Sequence, residues 1–161
     1  MIIMQVNGTY QKKISKSAFR KILVPFDDSK MSERAFWHAI NLNFKHETEI
    51  IILTIFYSDK SSSSFLDYNA HQTIIEQKKL NEIKLKHRKL NKISESYGIP
   101  CRSFVATSSS ITQTIMSYVY STNADLVIMG TRGNGSDRKI MLGSVSLEIS
   151  QNSPIPVLLI K

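Results

Sequence analysis

Two glycine pairs at a set interval are the residues of this chain best suited to do chemistry. Gly130-Thr131-Arg132-Gly133 closes the strand-like run Asp125 to Met129, and nine residues later Gly143-Ser144 leads into the helix-compatible Val145-Ser146-Leu147-Glu148-Ile149. Glycine has no Cβ and reaches positive φ, so a strand that ends in glycine lets backbone N–H groups approach an anion. A helix beginning at the second pair adds unpaired N–H groups and a partial positive charge. Ser144 supplies a hydroxyl where an N-cap or a phosphate ligand belongs. The chemistry indicated is phosphate binding.

Other phosphate loops and several hydrolytic sites are excluded. Gly130 and Gly135 have the Walker spacing, but Ser136-Asp137 stand where that loop needs Lys followed by Ser or Thr. Gly133-x-Gly135 is followed by Arg138 where the dinucleotide fingerprint has its third glycine. No H-E-x-x-H, C-x-x-C or G-x-S-x-G occurs, and His38, His46, His71 and His87 show no metal spacing. Cys101 is the sole cysteine, which rules out an internal disulfide and reads as a small apolar residue opening a strand. Arg132 and Arg138 are the cations placed to neutralise phosphate charge.

The elements that must position this loop alternate along the chain. Five short segments read as buried strands: Lys21 to Phe26, Ile50 to Phe56, Cys101 to Ala106, Asp125 to Met129 and Ile155 to Ile160. They are near-continuous apolar runs without alternation, as a sheet covered on both faces requires. Between them lie helix-compatible stretches, from about Lys30 to Phe44 after a Ser29 cap, across Lys78 to Lys92, and near Ile111 to Tyr120. Strands alternating with helices give βαβ units and a parallel sheet of the α/β class. Residues 1–20 form an arm ahead of a domain spanning 21–161, and Ser58 to His71, with its four consecutive serines, reads as a flexible loop. In an open parallel sheet the ligand crevice lies beyond the carboxyl ends of the strands where strand order reverses. That brings Pro25-Phe26-Asp27-Asp28-Ser29 opposite the glycine loop, with Asp27 able to reach a ribose or a phosphate-bound Mg²⁺.

Lys21-Ile22-Leu23-Val24-Pro25-Phe26-Asp27-Asp28-Ser29, Ala124 to Gly130, the G-x2-G-x9-G-[ST] pattern and Ser153-Pro154-Ile155-Pro156-Val157-Leu158-Leu159-Ile160 together resemble the universal stress protein family. The resemblance covers residues 20–161 and implies an open, Rossmann-like five-stranded sheet of order 3-2-1-4-5 with helices on both faces. Its glycine pattern is similar to that of the family's ATP-binding branch. Carried over residue by residue, Pro25 and Asp27 approach the ribose and metal, Ile55 the adenine through its backbone, and Met129 and Gly130 the nucleotide wall. Gly133, Gly143, Ser144, Val145 and Ser146 hold the phosphates. The chain departs from the family where Val105-Ala106-Thr107-Ser108 replaces a Gly-x-Pro after the third strand. The resemblance also implies antiparallel homodimerisation through the last strand, residues 155–160, a bare apolar edge open to pairing.

The formal charge of +8, from 21 Lys and Arg against 13 Asp and Glu, favours anionic partners. Around Lys78 to Lys92 the cations alternate with Leu80, Ile83, His87 and Leu90 at helical spacing and no aromatics interleave, so they read as a solvated helix face and not as a nucleic-acid surface. No apolar run approaches a membrane span, and the expected setting is cytoplasmic. The resulting expectation is a nucleotide-binding regulatory module using ATP and Mg²⁺, with at most slow hydrolysis and a protein partner of unknown identity. The alternative is a dimeric interaction module whose glycine loop is empty or holds an inorganic anion.

Overall fold

A computed structural model describes residues 4–6, 9–11, 19–42, 48–58, 69–133 and 142–161. After a short antiparallel hairpin of β1 (Met4–Val6) and β2 (Thr9–Gln11), the chain runs β3 (Lys21–Pro25), α1 (Lys30–Leu42), β4 (Glu49–Tyr57), α2 (Asn69–Ser96), β5 (Cys101–Ser108), α3 (Ile111–Thr122), β6 (Leu126–Gly130), α4 (Ser144–Asn152) and β7 (Val157–Ile160). Strands β3 to β7 form one parallel sheet in the order β5-β4-β3-β6-β7. Numbered among themselves, these five follow the expected 3-2-1-4-5.

The apolar strands are shared between two cores because successive side chains leave opposite faces. Ile22, Val24, Ile50, Ile52 and Ile128 pack with Ala35, Phe36 and Ala39 of α1 and Leu90 of α2. Leu23, Ile51, Leu53, Val127 and Met129 pack with Ile115 and Val119 of α3 and Ile149 of α4. Central β6 is buried throughout, whereas β5 at one edge is only half-buried along most of its length. Cys101 opens β5 half-buried, with its thiol bonded to Asn91 Oδ1 at 3.3 Å, and burial pushes its pKa up to about 12.

Local signals end the helices. Ser29 Oγ accepts from the Ser32 N–H at 3.1 Å to cap α1, and Ser110 Oγ accepts from Gln113 N–H to cap α3. Asn123 closes α3 in the left-handed region at φ 52°. Helix α2 is longer than its lysine-rich centre suggests. It takes in Asn69, Ala70 and His71, which the sequence reading gave to the preceding loop. The four serines of that loop lie outside the described residues.

Candidate functional site

Strand order reverses between β3 and β6, and a cleft of about 630 Å³ opens beyond their carboxyl ends. One wall is the glycine loop and the start of α4. There the Thr131 N–H donates to Ile160 O at 2.8 Å, the Gly143 N–H donates to Thr131 O at 2.8 Å, and Ser146 Oγ donates to Thr131 O at 2.8 Å and to Gly143 O at 2.9 Å. These bonds pin the helix start onto the strand end. Gly143 is the N-cap, and no side chain of the described residues caps the helix. The first N–H groups of α4 therefore keep the open valence that any helix start has. Thr131 Oγ1, in the same loop, is buried without a hydrogen-bond partner among the described residues.

The glycines of this wall differ in what they do for the protein. A methyl group at Gly130 would lie 2.6 Å from Met31 Cβ and 3.1 Å from the Met31 carbonyl carbon, so its absence lets α1 sit against the end of β6. One at Gly133 would strike the Asp27 carboxylate. Among the described residues, one at Gly143 would meet nothing closer than Thr131 O at 3.5 Å, and its φ of −70° and ψ of 158° suit any residue. The described residues therefore give that glycine no packing role.

The opposite wall is built from side chains. Asp27 Oδ1 accepts from the Ser29 N–H at 3.1 Å, which turns the chain from β3 into α1. Asp28 follows at φ 63°, a conformation that costs a non-glycine residue free energy, and its carboxylate pairs with Lys86 of α2 at 2.6 Å. The hydrogen bond to Asp28 raises the Lys86 pKa. Beneath them Thr54 Oγ1 donates to Phe26 O at 2.7 Å and lies 2.9 Å from Nε2 of the buried His87. The threonine proton is committed to the carbonyl, so His87 holds its proton on Nε2 and donates it to Thr54. Burial lowers the His87 pKa.

A model of the universal stress protein family matches residues 18–161. The chain belongs to the universal stress protein family. A universal stress protein of Methanocaldococcus jannaschii is 27% identical over 146 residues, covering 91% of this chain and 84% of that one. Among solved structures, the hypothetical protein MJ0577 aligns with a TM-score of 0.76 and 25% identity over 88% of this chain and 95% of its own. A universal stress protein in complex with cAMP (TM-score 0.63, 19% identity, 89% and 98% covered) and one from Arabidopsis thaliana with AMP bound (TM-score 0.62, 17% identity, 88% and 91% covered) share the fold.

In this universal stress protein the residues singled out from the sequence converge. Pro25, Asp27 and Ile55 line the cleft on the β3–β4 side, Met129 and Gly130 form its floor, and Arg132, Gly133, Gly143, Ser144, Val145 and Ser146 complete the glycine-loop side. Arg138 lies outside the described residues. Ser144 is the first helical residue and not the cap, and Ser146 is buried, with its one hydroxyl proton shared between two carbonyls. Sequence reasoning missed Leu53, Ile111 and Ile115, which give the cleft an apolar side. The 3.6-residue stripe of α3 was the signal for the last two. Among the described residues no group of three or more His, Cys, Asp or Glu could hold a metal, and no helix is long and apolar enough to cross a membrane.

Proposed function

We propose that the cleft binds ATP with Mg²⁺ and that the protein acts as a nucleotide-dependent regulatory module of the stress response. The observation that carries this reading is Gly143, a glycine for which the described residues give no steric reason, set at the start of a helix that no described side chain caps. A side chain there would stand where phosphate oxygens meet the helix N–H groups. The volume suits a small-molecule ligand, and the cleft joins an apolar side to polar groups. The orphan hydroxyl of Thr131 in the same loop, and the nucleotides held by the cAMP and AMP complexes of the same fold, add support. Among the described residues Asp27 is the one carboxylate lining the cleft, enough for Mg²⁺ carried mainly by phosphates.

None of the described residues lining the cleft stands out as a water-positioning base, so the bound nucleotide serves as a signal and its hydrolysis is slow. Calorimetry tests the reading. Wild-type protein should give a binding isotherm with MgATP and Gly143→Asp none, with its fold intact by circular dichroism. Absence of heat from the wild type, or full affinity in the variant, would reject ATP as the ligand.

The domain of residues 21–161 pairs with a second copy through β7, the free edge beside β6. Leu158 on that strand is 38% exposed, an apolar side chain left for a partner. Light scattering should give a dimer for the wild type and monomers or aggregates for Leu159→Pro, which removes a donor from the free edge, because the even-numbered residues Pro156 and Ile160 turn their carbonyls toward β6 and Leu159 faces away. An unchanged dimer in that variant would place assembly on another surface.

A further inference from the structure

Helix α2 meets the cleft wall through two adjacent side chains, and neither contact was expected from the sequence. Lys86 pairs with Asp28 just beyond β3, and His87 donates to Thr54, whose own proton goes to the carbonyl of Phe26. Each contact lands one residue from a cleft-lining group. Asp28 follows Asp27, Phe26 precedes it, and Thr54 precedes Ile55. Asp28 is held in the left-handed region, so the turn carrying Asp27 occupies a conformation that its surroundings must maintain.

The two halves of α2 are anchored unequally. His87, Leu90 and Ser94 are buried, whereas none of Gln77 to Lys86 is, although Leu80 and Ile83 continue the apolar stripe half-buried. With 28 residues the helix is about 42 Å long, and over Gln77 to Lys86 it has little core beneath it. Weakly packed segments open at low free-energy cost, and small biases shift them.

We propose that α2 reads the occupancy of the cleft, with Lys86 and His87 as positioning residues that transmit the state of the Phe26–Asp28 turn. The inference rests on the nucleotide reading above. A ligand that engages Asp27 and the Ile55 backbone selects one geometry of the turn. That geometry keeps Asp28 within reach of Lys86 and Phe26 O within reach of Thr54, and α2 is held more firmly. Because coupling is reciprocal, loosening the latch weakens nucleotide binding by the same factor that nucleotide tightens the helix.

Hydrogen exchange of the full chain with and without saturating MgATP tests this. In the wild type, peptides covering 142–149 and 83–96 should both exchange more slowly, the latter by about fivefold or more, the lower end of ordinary coupling. Asp28→Gly removes the carboxylate while supplying the residue that takes φ near 63° without strain, so the fold is preserved. That variant, and Lys86→Met, should keep the protection at 142–149, lose it at 83–96, and bind MgATP several-fold more weakly. Lys86→Arg should restore both. Protection at 142–149 with none in wild-type α2 would overturn the coupling and leave the nucleotide reading standing. So would α2 protection that persists in Asp28→Gly and Lys86→Met. Protection in neither segment would overturn the nucleotide reading and this inference with it.

Discussion

The two walls of the cleft do their work with different materials. The β6–α4 wall is mainly backbone: strand end, glycines and the first turn of a helix, tied together by carbonyls, N–H groups and the Ser146 hydroxyl, none of which titrates in the ordinary pH range. The β3–β4 wall is side chain: Asp27, Asp28 with Lys86, and Thr54 with His87. A backbone wall is sensitive to added bulk and indifferent to pH, and a side-chain wall is the reverse. The backbone wall therefore suits holding an anion of fixed charge, and the side-chain wall suits adjusting how firmly it is held.

Substitutions that test this contrast differ in size. The largest effect belongs to Gly143→Asp, which should eliminate MgATP binding, while Gly143→Ala leaves stability within about 0.5 kcal/mol because its Cβ meets only ordinary contacts. Ser144→Ala removes one hydrogen bond to a charged ligand and should cost about 1.5–3 kcal/mol of affinity by calorimetry. Unchanged affinity would show that the helix N–H groups act without that hydroxyl. Gly130→Ala should reverse the pattern of Gly143, destabilising the fold by about 1–3 kcal/mol in urea titration because Met31 must move. A variant as stable as wild type would mean that α1 shifts freely at that contact.

The smallest effect distinguishes the walls by pH. Burial lowers the His87 pKa below its usual 6.5, so the unfolded chain takes up a proton there before the folded one does. Stability should be flat in this respect above pH 7. Below 6.5 it should fall, by at most about 1.4 kcal/mol per pH unit, until the folded-state pKa is passed. His87→Gln, which keeps a side-chain N–H for Thr54, should flatten that slope in urea titrations at pH 5.5 and 7.5. An equally steep slope in the variant would assign the acid sensitivity to other groups.

The glycine wall was legible in the sequence and the side-chain wall was not, for a physical reason. Strand ends, glycine intervals and a helix start are local patterns, and the topology of a parallel sheet then dictates that β3 and β6 ends meet. Lys86–Asp28 and His87–Thr54 span 58 and 33 positions and depend on how α2 lies across the sheet. A faint signal existed. His87 occupies the apolar stripe of α2 where an aliphatic residue would serve, and Thr54 interrupts the apolar run of β4. Two polar residues set on facing apolar surfaces need buried partners, and here they find each other and the Phe26 carbonyl. Gly130 has a second role that the sequence did not show. Its missing Cβ makes room for Met31 as much as for any anion, and only the packing of α1 reveals that.

Cys101 has a practical consequence for labelling chemistry. Burial pushes its pKa up to about 12, so little of the reactive thiolate forms near neutral pH. A cysteine introduced on an exposed position of α2, such as Gln77 or Lys84, should react with a maleimide first. The native sequence is thus suited to carrying a single fluorophore on that helix without first being made cysteine-free.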